Sequence, residues 1–342
     1  MTSIVTIQSS GQRFPVESGE SLLDAALRAG IPLSYSCNSG SCGNCRARVV
    51  RGRCDPLRHH DYILSGDERG AGVVLLCCAG TGCDLEIETR LADNPAAIPL
   101  QHICTTVSRL EPVTDDTLVL HLRTPRSRTL QFLAGQHVTL TIPGLAPRNK
   151  SIASCPCNGL VLQFHIRRVP GDAFSDYVFS HLQLRQPVEV SGPKGEFVLD
   201  SGTRNALIFV AYDTGFAPIK SLMEHAISLE LNQPITLYWA ARPPAGHYLE
   251  NHCRAWQDAL DNFRYESVTA APPGPVLPAA ENLPAQQLMH AVMERLLEDH
   301  PVLTGHDVYV SSAGVLTEEH RARLLRHGLA GDRLFVDALE RY

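Results

Sequence analysis

Between residues 37 and 45 three cysteines fall in the run Cys37-Asn-Ser-Gly-Ser-Cys42-Gly-Asn-Cys45, and a fourth, Cys77, follows the apolar stretch 73–76. Four thiols at C-x4-C-x2-C plus one distant cysteine converge only if the loop wraps a shared centre. Ser39, Gly40, Ser41 and Gly43 are small enough to allow the wrap, and their backbone N–H groups are then free to point at sulfur. This is the spacing of a [2Fe–2S] cluster, which takes four soft anionic ligands. A structural zinc site on four cysteines and a set of plain buried thiols are the alternatives, although zinc loops usually pair C-x2-C units. Cys78 adjoins Cys77, and strand alternation would send the two to opposite faces, so one of them faces the centre. Cys54, Cys83, Cys104, Cys155, Cys157 and Cys253 read as small buried or idle thiols.

The other 300 or so residues exceed one ordinary core, and two or three domains are expected in a chain of 342. A net charge of -6 without basic runs offers no footprint for nucleic acid. The longest apolar stretches, such as Val73 to Ala79, are far too short to span a bilayer. Met1 to Gln8 alternates like a strand and lacks the pattern of a signal peptide, so the expectation is a cytoplasmic protein without membrane partners.

The periodicities predict three kinds of structure in succession. Residues 1–93 read as strand, strand, helix (Leu22 to Leu27, ended by Gly30), cysteine loop and three further strands, the order of a β-grasp domain. Leu91 to Ala96, with its Asn-Pro step, reads as a linker with little to bury. Residues 100–200 carry closely spaced strand signals at 117–123, 136–142, 151–154, 160–169 and 187–191, with one helix at 174–182, which predicts an antiparallel β-barrel. In residues 204–342 apolar strands (206–211, 235–239, 307–310) alternate with helices (218–231, 252–263, 285–299, 318–327), the pattern of a doubly wound parallel sheet. The fold class is therefore multi-domain, α+β and α/β. The Pro-rich stretch 271–278 reads as a loop.

The cysteine loop resembles the plant-type ferredoxin domains of oxygenase reductases, matching in the four cysteines and Gly43. The resemblance selects Cys77 over Cys78, since that family's fourth ligand directly follows an apolar run. It implies Cys37, Cys42, Cys45 and Cys77 as metal ligands. A [2Fe–2S] cluster moves one electron at a time and nicotinamide gives up a hydride, so a chain joining them needs a flavin between. Arg148-Asn149-Lys150-Ser151 resembles the R-x-Y-S signature of the ferredoxin–NADP reductase superfamily, and Val169 to Ser175 resembles that family's diphosphate turn at a helix N-terminus. By this resemblance Arg148, Lys150, Ser151, His165, Arg167, Gly171 and Ser175 bind FAD, and Ser151 stands near the reactive edge of the ring. Lys150 replaces an aromatic residue that stacks on the flavin, and Asp172 replaces a glycine.

Strand 207–211 followed by Tyr212-Asp213-Thr214-Gly215-Phe216-Ala217-Pro218 resembles the superfamily's G-G-T-G-x-A-P motif, with Thr214, Gly215 and Pro218 matching. The resemblance makes these three residues, with Arg242 on the adenosine side near Tyr248-Leu249, the nicotinamide site. Val308 to Gly314 resembles the strand ending in Cys-Gly-Pro, and Ser311 holds the cysteine's place. Ser151 and Ser311 are accordingly the expected catalytic residues. Asp213, in a glycine position, is expected to set a like charge against the cofactor diphosphate and to weaken NADH binding about tenfold.

Over its whole length the chain resembles reductases of aromatic-ring-hydroxylating oxygenases, such as terephthalate dioxygenase reductase; related chains serve di-iron monooxygenases and deoxysugar dehydrases. The resemblance implies an NAD(P)H-dependent iron–sulfur flavoprotein, with NADH preferred to NADPH. Electrons would pass through FAD and the cluster to a terminal oxygenase or other acceptor protein. The competing reading is a ferredoxin-type carrier or scaffold whose flavin and nicotinamide domains no longer bind cofactor, motivated by Lys150, Asp172, Asp213 and Ser311.

Overall fold

A computed structural model describes residues 2–35, 40, 43, 45–58, 63–92, 94–126, 128–157, 159–200, 202–241, 246–269, 283–312 and 316–337. Cys37, Cys42, Arg242 and the loop 271–278 lie outside them.

The first part contains β1 (Ser3–Ile7), β2 (Arg13–Val16), α1 (Leu22–Arg28), β3 (Arg46–Arg51), β4 (Asp55–Pro56), α2 (Gly66–Gly70), β5 (Val73–Leu75), β6 (Ala79–Gly80) and β7 (Leu85–Thr89). Five of the strands form one sheet in the order β2-β1-β7-β3-β5, and β4 pairs with β6. Alternation in β1 buries Val5 and Ile7 against Leu22, Leu23 and Ala26 of α1, the expected amphipathic match of a period of 2 with one of 3.6. Ser21 caps α1 by accepting the Asp24 N–H.

The second part is a six-stranded antiparallel sheet of β8 (Gln101–Pro112), β9 (Thr117–Arg123), β10 (His137–Thr141), β11 (Arg148–Ser151), β12 (Val161–Arg167) and β13 (Pro187–Lys194), with α3 (Ala173–Ser180) after β12. Its order is β11-β10-β13-β8-β9-β12. The two outer strands approach each other where the Ala153 N–H donates to Gln163 O, 2.8 Å, so the sheet nearly closes into the expected barrel. Along β12, Leu162, Phe164 and Ile166 fill the barrel core, which turns Gln163, His165 and Arg167 to the opposite face.

The third part has β14 (Ala206–Tyr212), α4 (Phe216–Ser228), β15 (Ile235–Ala240), α5 (Glu250–Ala259), β16 (Phe263–Val268), α6 (Leu283–Asp299), β17 (His306–Ser311), α7 (Glu318–Arg326) and β18 (Leu334–Val336). The sheet is parallel, in the order β16-β15-β14-β17-β18, and covered on both faces, so β14 and β15 are almost wholly apolar and buried. Strand order reverses between β14 and β17, where ligands of doubly wound sheets bind.

Three expectations need correction. The helix predicted over 252–263 stops at Ala259, and Phe263 opens a strand instead; Asn262 makes the turn, its side chain donating to Leu231 O and Gln233 O. The strand predicted at 151–154 is shifted to Arg148–Ser151, because Ser154 O accepts from Ser221 Oγ of α4 (2.7 Å) instead of a ladder neighbour. The stretch 91–96 is not a bare linker: Ala92 is 1% exposed and packs with Ile98 and Leu133, and its N–H donates to Pro32 O.

The three parts meet at one junction. Gln131 of the barrel accepts the Tyr35 N–H and donates to Leu33 O, tying the chain just before the cysteine loop to the barrel. An added Cβ on Gly30 would strike Ser228 Oγ of α4, so the end of α1 lies directly on the third part. His225 of α4 lines the cavity there, and burial pulls its imidazole down to about 4. Its contribution to stability is full above the unfolded value near 6.5 and is lost as pH falls toward 4, because the unfolded chain takes a proton that the folded one refuses. Acidification from pH 7 to 4.5 should therefore cost the parent about 2–3 kcal/mol more than His225→Gln, measured as the difference between their urea unfolding curves.

Candidate functional site

The cysteine site can be followed from its two described members. Cys45 O accepts the Leu76 N–H at 2.9 Å, and this bond sets Cys45 Sγ 3.4 Å from Cys77 Sγ. Two ligands about 2.3 Å from one tetrahedral metal lie roughly 3.8 Å apart, so the pair fits a shared iron. The Cys45 sulfur and burial together push the Cys77 thiol far up, and a thiophilic cation removes that penalty by taking the proton's place. Cys77 and Cys78 both lie in the turn between β5 and β6, so strand alternation does not separate them, and their sulfurs are 3.6 Å apart. Gly43 holds φ 74°, and Arg46 Nη1 donates to its carbonyl at 2.7 Å while Arg46 Nε pairs with Glu68, bracing the loop's exit.

On the barrel, Arg148 and Lys150 share one face of β11 and point at α3. Arg148 Nη2 donates to Asp172 Oδ1 at 2.8 Å, and the Ser175 N–H donates to Asp172 Oδ2 at 2.9 Å. Asp172 is thus the N-cap of α3, and its carboxylate fills the position between guanidinium and helix N-terminus where a phosphate would bind. Although burial works the other way, the bonds from Ser175 and Arg148 hold Asp172 below the usual carboxylate range. Arg148 Nε is buried with no partner among the described residues, a donor left for a ligand. Gly171 has φ 80° with open space around its α-carbon. Ser175 is spent internally, its Oγ accepting from the Val169 N–H. Lys150 is 5% exposed, with Nζ 5.8 Å from the Phe174 ring centroid, and burial pulls its ammonium down to about 7. With Asp172 on the helix N-terminus, the orphaned Arg148 Nε beside the open Gly171 turn is what this site offers a flavin diphosphate.

The outward face of β12 meets the start of the third part. Arg167 pairs with Asp213 and, at 2.6 Å, with Asp116. His165 Nδ1 lies 2.7 Å from Tyr248 Oη, and its ring stacks on Phe216; burial drives the imidazole well below its ordinary value, and Nε2 has no hydrogen-bond partner among the described residues. Tyr248 therefore sits against the barrel and its ring packs on Trp239. Arg242, expected beside it on the adenosine side, lies outside the described residues.

The Tyr212–Gly215 turn occupies the carboxyl end of β14. Asp213 holds φ 54°, the left-handed conformation that favours glycine, and its carbonyl accepts from Trp239 Nε1 at 3.1 Å. The expected repulsion of a diphosphate by Asp213 is corrected here: the side chain is 7% exposed and committed to Arg167, so its charge is paired within the fold. Any Cβ at Gly215 would collide with Ser311 O; the glycine is what lets this turn close on β17. Pro218 falls in the first turn of α4, where no N–H donor is required. Thr214 lies in the same turn.

Ser151 and Ser311, far apart in sequence, converge on a residue that sequence reasoning missed. Asp337 Oδ2 is 3.1 Å from Ser311 Oγ and 3.5 Å from Ser151 Oγ, and the Asp337 N–H donates to Val310 O. A single aspartate near the C-terminus has no motif to mark it. The barrel strand and the switch point of the parallel sheet thus open on the same space.

Comparison with known proteins agrees part by part. Residues 5–80 match a 2Fe-2S iron-sulfur cluster binding domain, 105–199 an oxidoreductase FAD-binding domain and 209–315 an oxidoreductase NAD-binding domain. The chain is 30% identical to the CDP-6-deoxy-L-threo-D-glycero-4-hexulose-3-dehydrase reductase of Yersinia pseudotuberculosis serotype I (strain IP32953), over 99% of this chain and 98% of that one. It is 29% identical to the terephthalate 1,2-dioxygenase reductase component 1 of a Comamonas species, over 98% and 97%. The crystal structure of the Amycolatopsis cytochrome P450 reductase GcoB superposes with a TM-score of 0.60 at 26% identity, covering 99% of both chains.

Two expectations follow from this geometry. Arg148→Ala should weaken FAD binding about 10–100-fold by removing charge-assisted bonds worth about 1.5–3 kcal/mol, and Asp172→Gly should tighten it several-fold, both read by fluorescence titration of apoprotein with FAD. Asp213→Asn, which keeps a residue tolerant of positive φ but removes the charge facing Arg167, should leave the NADH KM within about twofold and lower stability by about 1–3 kcal/mol, measured by steady-state kinetics and urea unfolding.

Proposed function

Since the chain belongs to the ferredoxin-fused reductases of the ferredoxin–NADP reductase superfamily, we propose that it takes electrons from NADH and delivers them, through FAD and a [2Fe–2S] cluster, to a separate oxygenase or comparable acceptor protein. The observation that carries this reading is the convergence of Ser151 from the barrel and Ser311 from the parallel sheet on Asp337. It gives the flavin-binding and nicotinamide-binding parts one common opening. When bound, FAD supplies the exchange between two-electron and one-electron transfer.

The protein's own residues supply position and electrostatics. Arg148, through the Nε that has no partner among the described residues, anchors an anion beside the Gly171 turn. Ser151 and Ser311 present hydroxyls to the reacting edge, and Asp337 fixes their orientation by accepting from both. Gly215 holds the diphosphate turn tightly on the end of β17. His165, buried and neutral, offers in the same seam a ring nitrogen that no described residue uses. Cys37, Cys42, Cys45 and Cys77 hold the cluster, and the acceptor docks by the cysteine loop. No helix among the described residues is long and apolar enough to cross a membrane.

The test is reconstitution followed by anaerobic titration. The protein should carry about two irons and two sulfides with one FAD, and NADH should bleach both chromophores. Cys77→Ala should lose the cluster spectrum while flavin bleaching persists, and Cys78→Ala should keep both. A bound cluster without FAD, or FAD that NADH fails to bleach, would establish the carrier reading instead.

A further inference from the structure

Cys155 and Cys157, which sequence analysis treats as idle thiols, are joined by a disulfide across a single proline. They occupy a barrel segment that touches both the ferredoxin part and α4. Its upstream residues are clamped by α4: Ala153 O accepts from Lys220 Nζ at 3.3 Å, Ser154 O from Ser221 Oγ at 2.7 Å, and the Cys155 N–H donates to Glu224 Oε2 at 3.1 Å. Downstream, Pro156 and Cys157 wall a small cavity of about 20 Å³ whose other sides include Ile31 and Tyr35 of the ferredoxin part and His225 of α4. Tyr35 directly precedes the cysteine loop, and its hydroxyl lies 3.4 Å from Leu130 O of the barrel.

A bridge between residues two apart closes so short a loop that it removes little entropy from the unfolded chain, so a structural staple is a weak reason for it. The two sulfurs also differ in kind. Cys155 is 4% exposed and fixed by Glu224, with the Cys157 N–H donating to its sulfur at 3.2 Å, whereas Cys157 is only half-buried and faces the cavity. One accessible sulfur and one buried sulfur with its own N–H donor form an attackable end and a stabilised leaving group.

We infer that Cys155 and Cys157 form a reversible dithiol–disulfide site, oxidised by peroxide and reduced by a dithiol, whose state governs how the ferredoxin part packs on the other two. On oxidation two thiols and hydrogen peroxide give the disulfide and two waters; the S–S bond forms, the O–O bond breaks, and two electrons and both thiol protons pass to the peroxide oxygens. On reduction a dithiol's thiolate attacks Cys157 Sγ, Cys155 departs as thiolate and takes a proton, and the reagent's second thiol displaces Cys157 to leave the reagent as its own disulfide. Bonded sulfurs stand about 2.05 Å apart and unbonded ones need roughly 3.5–4 Å. Cys155 is pinned to α4, so Cys157 yields, into the cavity beside Ile31 and Tyr35.

The consequence for electron flow rests on the function proposed above; the existence of the site does not, and the experiment separates them. Holoenzyme is equilibrated in dithiothreitol buffers of graded redox poise, with a peroxide-treated sample, then acid-quenched, alkylated and analysed by peptide mass. The peptide carrying both cysteines should convert from a bridged form, two hydrogens lighter, to a doubly alkylated form over a defined range of poise. In parallel, the ratio of cytochrome c reduction, which draws on the cluster, to ferricyanide reduction, which draws on the flavin, should fall about fivefold in the dithiol form. The double variant Cys155→Ser, Cys157→Ser, checked for the parent's iron and FAD content, should show the lower ratio and no response to poise. Absence of the bridged peptide at every poise overturns the site, and a ratio unchanged by poise in the parent overturns its coupling to packing. Failure of NADH to bleach the flavin while the bridged peptide is present counts against the proposed function alone.

Discussion

Lys220 holds the barrel and the parallel sheet together, and the geometry of the seam follows from it. Its Nζ, on a side chain 5% exposed, meets Glu224 Oε1 at 2.5 Å, Gln163 Oε1 at 3.1 Å and Ala153 O at 3.3 Å. An ammonium so deeply buried is tolerable only because an acid partner and two oxygens from the barrel surround it. Those oxygens come from β12 and from the segment leaving β11, so satisfying Lys220 fixes both strands against α4. With the helix placed, the turn that precedes it carries Asp213 to Arg167, and its C-terminal turn carries Ser228 to Gly30 of the first part.

The same seam explains why residues that depart from the superfamily's pattern need not abolish cofactor use. Asp172 and Asp213 look, in the linear sequence, like negative charges set against a diphosphate. In the fold each faces an arginine, Arg148 or Arg167. Asp172 also repays its presence by capping α3. Lys150 packs over Phe174 in place of an exposed ring, and its depressed basicity lowers the cost of burying it. The two aspartates trade backbone access for a paired charge, which retains the local scaffold while changing what the ligand meets.

Much of the architecture was legible because it depends on local rules. Alternation of apolar residues in β12 and the unbroken apolar run of β14 are properties of consecutive residues, and the two periods distinguish a barrel strand from a doubly covered parallel one. The misread elements were those decided by distant partners. Asn262 ends a helix through carbonyls of residues 231 and 233, and 152–154 leaves the strand because α4 offers a hydroxyl. Ala92 is buried by Leu133, some forty residues away, and no linker composition announces that.

By itself the sequence determined the cysteine spacing, the succession of three folding units and the chemistry that such a succession serves, since ligand count, periodicity and turn residues are encoded within short windows. Tertiary structure alone decided which charges are paired and which hydroxyls meet. Asp337 joins Ser151 to Ser311 across 186 residues of chain on one side and 26 on the other, and Cys155 and Cys157 gain their place at the three-way junction from α4 and Tyr35. Pairing and desolvation depend on distance and dielectric in the folded molecule, and neither quantity is defined until the chain has packed.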